Sequence, residues 1–94
     1  MSQLEQYKEL HQKGQFNEAI EGYNALLKTD KDNDDIHFSL ALALSKTDQL
    51  KEALKHVNAA LGTQPHVERY HQFKGQILMG LEQFDQAIKS FQNS

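Results

Sequence analysis

Ala19, Ala53 and Ala87 stand at intervals of 34 residues, and they do not repeat alone. Three places before each alanine is a large apolar residue (Phe16, Leu50, Phe84), directly after it another (Ile20, Leu54, Ile88), and four places on a third (Tyr23, Val57, Phe91). A fixed period of this length is the mark of a repeat architecture, in which one supersecondary unit is stacked against copies of itself. Within each copy the apolar residues fall at i, i+3, i+4 and i+7, the stripe of an amphipathic helix. Alanine in the middle of the stripe lets a neighbouring helix approach where a larger side chain would hold it off.

A second helical pattern precedes each stripe: Leu4, Tyr7, Leu10 and His11; Ile36, Leu40, Ala41 and Leu44; Tyr70, Phe73, Ile77 and Leu78. Each repeat therefore reads as a helix pair. The joining segments, Lys13-Gly14-Gln15, Thr47-Asp48-Gln49 and Leu81-Glu82-Gln83, are short enough to force antiparallel packing. Gly14 suits a left-handed residue at a helix C-terminus, and Gly80 is expected to serve the third repeat in the same way. Between pairs lie residues 29–35 and 62–68, the latter punctuated by Gly62 and Pro65. The expected fold is all-α: six helices in three antiparallel pairs forming one domain, with repeats of approximately 1–33, 34–67 and 68–94.

This pattern resembles the tetratricopeptide repeat (TPR) family, whose 34-residue helix-turn-helix unit has a small residue early in its second helix, an aromatic four places on, and a proline in the turn between units. Those places are Ala19, Tyr23 and Lys31, then Ala53, Val57 and Pro65, then Ala87 and Phe91. The first helices match more loosely. The family's glycine is met only by Gly75, with Tyr7 and Ala41 in the other copies; its tryptophan place holds Gln3, His37 and His71, and its leucine place Gln6, Leu40 and Lys74. The resemblance implies a right-handed superhelix whose concave face, lined by the first helix of each pair, holds a peptide or protein surface. It implies a scaffold and not an enzyme.

In that register the groove residues are Leu4, Phe38, Leu42 and Phe73, which are apolar, Lys8 and Arg69, which are cationic, and His11, Ser39, Gln72 and Gln76, which are polar. Such a lining suits an amphipathic or acidic-aromatic peptide. Phe38 and Phe73 have a second reading, as plugs between neighbouring helices. The family's two-carboxylate clamp would require Lys, Asn, Asn, Lys and Arg at places occupied here by Leu4, Lys8, Ser39, Arg69 and Phe73. Two cations out of five donors do not make that site.

Composition narrows the partners further. The net charge of −3 is dispersed, with no basic patch to neutralise a run of phosphates, so nucleic acid is not expected. Cysteine is absent, which removes disulfides, a thiolate nucleophile and Cys-type zinc sites. There is no signal-peptide pattern at the N-terminus and no apolar run of about 20 residues, so no membrane partner is expected and the cytoplasm is the expected compartment.

Asp30, Asp32 and Asp34 mimic the start of a calcium loop, but the places for its glycine and bidentate glutamate hold Asp35 and Ala41. The alternative is a turn in which Asp34 or Asp35 caps the next helix. Five histidines (His11, His37, His56, His66, His71) include no i, i+4 pair; His37 and His71 share a repeat column, a place that would let them stack on adjacent first helices, but they read as half-buried spacers, and no metal or other cofactor is expected. No Gly-rich phosphate loop or nucleophile-base set appears, so no catalytic residue is named.

The stripe of Phe84, Ala87, Ile88 and Phe91 is the second helix of a third repeat with no closing turn after it. It is expected to be an exposed interface, for a following helix of a longer chain or for a second copy in a homodimer. A self-assembly module, or an N-terminal adaptor of a multidomain protein, is thus the alternative to peptide binding.

Overall fold

A computed structural model of the protein describes the backbone of residues 2–92 and the side chains of residues 2–82. These residues form five helices: α1 (Gln3–Gln12), α2 (Phe16–Leu27), α3 (Asp34–Lys46), α4 (Leu50–Thr63) and α5 (Glu68–Gln92). Each helix packs against the next, and α1 also reaches α3. The alanine columns behave as their size demands: Ala19 and Ala53 are 0% exposed, beneath a core that includes Tyr23, Leu40, Val57, Tyr70 and Ile77.

The first two pairs turn in the same way. Gly14 has φ +83° and Asp48, its equivalent 34 residues on, has φ +62°. In both turns the next amide donates back to a leucine carbonyl, Gln15 N–H to Leu10 O (2.9 Å) and Gln49 N–H to Leu44 O (3.0 Å), which closes the helix end around a left-handed residue.

The third pair does not form, and the six-helix expectation is corrected to five. The break expected at 81–83 is absent, Gly80 lies inside the helix and caps nothing, and α5 runs on to Gln92. The residue in the left-handed column is now Glu82. A left-handed L-residue costs about 1–2 kcal/mol, a penalty that glycine lacks and that a short Asp side chain relieves by local hydrogen bonding. Glutamate has neither escape, and Leu81, Glu82 and Gln83 are all strong helix formers.

One further expectation needs correction. The cap of α3 is Asn33, whose Oδ1 accepts from the Ile36 amide at 3.2 Å, and not Asp34 or Asp35. Those two aspartates instead sit in the first turn, where their charge opposes the positive end of the helix dipole. His37 does not stack on His71. It lies against His56 of α4, with ring centroids 5.3 Å apart. What His37 and His71 share is a bond to the preceding turn: their Nε2 atoms lie 2.7 Å from the carbonyl oxygens of Lys31 and Pro65, respectively. The histidine column thus ties each inter-repeat turn to the helix it introduces.

A carbonyl only accepts, so His37 Nε2 carries the hydrogen. His37 Nδ1 and His56 Nδ1 are 3.1 Å apart, leaving room for one hydrogen between them. A second proton would set N–H against N–H. Burial holds His56 below the usual histidine range, with His37 and Lys55 acting in the same direction and Glu52 against it. Burial, with Lys46 nearby, lowers His11 as well. A lowered folded-state pKa means that the unfolded chain takes up protons first as pH falls. The stability contributed by these neutral rings is present above the unfolded value of about 6.5 and is lost as pH falls through and below it. Urea midpoints should therefore be lower at about pH 5.5 than at about pH 7.5, and His56→Phe should flatten the dependence. An unchanged slope in that variant would remove the pair from the explanation.

Candidate peptide-binding groove

Between α1, α3 and the start of α5 lies a groove of about 320 Å³. Its lining brings together Lys8, His11, Phe38, Ser39, Leu42 and Arg69 from the sequence-derived set, and adds Gln12, Tyr23 and Asp35. Leu4 packs instead against the core, and Phe73 packs under Phe38. Gln72 and Gln76 are exposed further along α5 and do not line the groove. The side chains of Phe84, Ala87, Ile88 and Phe91 lie outside the described residues.

The aromatic floor is held by neighbouring helices. The Phe38 ring lies 4.6 Å from that of Tyr70 and meets Phe73 edge-on at 5.5 Å, so it both joins α3 to α5 and lines the groove. Phe38 is therefore a plug between helices that also faces the cavity, whereas Phe73 is a packing residue. Tyr70 is fixed by donating its hydroxyl to Asp34 Oδ2 at 2.5 Å, and its pKa is raised by burial and by that bond to Asp34. Above this pair the Arg69 guanidinium carbon lies 5.6 Å from the Phe38 centroid and 5.5 Å from that of Tyr70. Two ring faces orient the planar cation while its edge stays in water.

At the α1 end, Lys8 Nζ lies 3.1 and 3.0 Å from the two carboxylate oxygens of Asp35, the only ion pair among the described residues. Both side chains are about two-fifths exposed (40% and 42%), so solvent screens the pair. Its contribution to stability is only about 0.2–1 kcal/mol, small enough for a ligand carboxylate to compete. Ser39 Oγ approaches Asp35 at 3.5 Å. Beneath them Tyr23 is 1% exposed, and its phenol is pushed up to about 12 by burial and by the Asp35 charge, with a Ser39 hydrogen bond acting in the opposite direction. It stays neutral and forms a fixed floor.

Family models described as Tetratricopeptide repeat match residues 10–77 and, separately, residues 68–94. The chain belongs to the tetratricopeptide repeat family. No curated protein gives a significant match to it. TPR proteins typically mediate protein–protein interaction and are typically non-enzymatic. Among the described residues no helix of this TPR chain is long and apolar enough to cross a membrane, and no three metal-ligating side chains converge.

Sequence reasoning missed Gln12, Asp35 and Tyr23 as groove residues, although one signal was available for Asp35. It occupies the repeat column of Arg69, 34 residues earlier, just as Lys8 shares the column of Leu42. Carrying the groove columns through every repeat would have placed Asp35 in the groove and opposite in sign to Arg69. Tyr23 reads only as core, because a residue buried in the stripe of α2 gives no sign that its far side floors a cavity.

Proposed function

We propose that this TPR domain is a protein-interaction module that holds a peptide segment of its partner in the groove between the first helices of its repeats. The wider reading is a right-handed superhelix spanning residues 1–94, with this groove on its concave face. The observation that carries the proposal is the convergence of an aromatic and aliphatic floor (Phe38, Leu42) with two cations (Lys8, Arg69) from three helices around one cavity. Such a site favours a carboxylate beside an apolar side chain: the carboxylate against Arg69, or exchanged for Asp35 on Lys8, and the apolar group against Phe38 and Leu42.

A displayed peptide library panned on the chain is expected to return Asp or Glu next to aromatic or aliphatic residues. In anisotropy titrations of a labelled selected peptide, Arg69→Ala should weaken binding about tenfold, because a hydrogen bond to a charged group contributes about 1.5–3 kcal/mol. Asp35→Asn should strengthen binding of acidic peptides by freeing Lys8. Added salt should weaken it. Peptides whose affinity is indifferent to both Arg69→Ala and Lys8→Ala would show that binding lies elsewhere.

A further inference from the structure

We propose that His11 makes the groove sensitive to pH: once protonated it joins Lys8 and Arg69 as a third cation that binds carboxylate, so that acidification tightens the hold on an acidic peptide. The inference rests on the reading of this groove as a peptide site and adds how the site is regulated.

The other four histidines have different surroundings. His37 and His71 hold turn carbonyls, His56 meets His37, and His66 is exposed in the turn before α5. Among the described residues His11 is the histidine that lines the groove. It is half-buried, and Phe16 of α2 meets its ring edge-on at 5.2 Å, which fixes the ring against the first helix pair. No side-chain nitrogen or oxygen of the described residues is both buried and unpartnered, so the imidazole nitrogens, which make no hydrogen bond there, are open to the water of the groove.

The placing of charge around the ring gives the proton its effect. Lys8 and His11 stand three residues apart on α1, hence on one face of it, and both open on the same cavity. From α3 come Asp35, which holds Lys8 at 3.0 Å, and the exposed Lys46; from α5 comes Arg69; α2 presents only the neutral Phe16 and Tyr23. The lining therefore carries two cations (Lys8, Arg69) against one anion (Asp35), and a proton on His11 makes the cations three. In the free chain burial, and then Lys46, act against that proton. A peptide carboxylate drawn to Lys8 acts the other way, because an opposite charge within about 4–6 Å favours the imidazolium. Peptide binding and protonation then strengthen each other by the same factor. Aspartate and glutamate in a flexible peptide stay ionised above about pH 5, so between about pH 7.5 and 5.5 the charge that changes in this contact is that of His11.

The test is an anisotropy titration of a labelled, histidine-free peptide that alternates Asp with Phe and Leu, at about pH 7.5, 6.5 and 5.5, with circular dichroism at each pH to confirm the helices. The wild-type chain is expected to bind roughly three- to tenfold more tightly at the lowest pH, and His11→Gln to lose that gain. In NMR titrations of the wild-type chain the His11 ring signal should change at a higher pH with the peptide than without it, a readout that does not depend on the variant folding. Binding that responds to Arg69→Ala or Lys8→Ala but is flat in pH would overturn this inference and leave the groove reading standing. So would an equal gain in His11→Gln, or a His11 midpoint that the peptide leaves unmoved or lowers. No binding at any pH, or binding indifferent to both cation variants, would overturn the groove reading and this inference with it.

Discussion

Tyr23→Ala is expected to lower the stability of this TPR domain by about 3–5 kcal/mol, the range for truncating a large buried aromatic. Tyr23 is 1% exposed and meets Tyr7 edge-on at 6.2 Å. It stands where α1, α2 and α3 come together, so the ring's removal opens a cavity that the neighbouring backbones cannot close. Domains of this size are stable by only about 5–15 kcal/mol, so the loss is a large share of the total. Urea unfolding followed by circular dichroism should show a much lower midpoint. Tyr23→Phe is the control: it keeps the packing and removes a hydroxyl, at an expected cost of about 0.5–1.5 kcal/mol. If both variants lost stability equally, the hydroxyl and not the ring would hold the site.

Gly22→Leu should be nearly as damaging, for the opposite reason. A Cβ built on Gly22 would overlap three carbons of the Tyr7 ring. Leucine is the better helix former by roughly 1 kcal/mol, which opposes the effect. Overpacking of a filled interface costs about 1–3 kcal/mol for modest insertions, and here a whole side chain is inserted, so the clash wins. Tyr7→Ala in the same chain should recover much of the loss, giving a coupling of at least about 1 kcal/mol in a double-mutant cycle. The second repeat already carries that compensation, with Ala41 in the Tyr7 column and His56 in the Gly22 column. Strictly additive losses would mean that the two residues do not share the space.

Much of the architecture was legible because a repeat states its packing more than once. One buried alanine is uninformative, but Ala19 and Ala53 at the same place in successive stripes identify the face on which the helices close. The turn chemistry was legible too, and more so than the expected sixth helix allowed. Gly14, Asp48 and Glu82 share the column that must turn left-handed, and only the first two have side chains suited to it. The groove was partly legible, since six of its lining residues follow from register alone, whereas Asp35 was assigned to helix capping and Tyr23 to the core.

By itself the sequence determined the helical class, the period, the paired first four helices and the turn that ends each of the first two first helices. These follow from local conformational preference and from periodic burial, which act over a few residues at a time. The tertiary structure decided which groups meet at long range: Lys8 with Asp35, His37 with His56, and Tyr70 with Asp34. These partners lie 27, 19 and 36 residues apart, so their contact depends on how whole helices are rotated against each other. A charge read alone as a free groove cation is, in the folded chain, one half of an exposed pair that a ligand must share or displace.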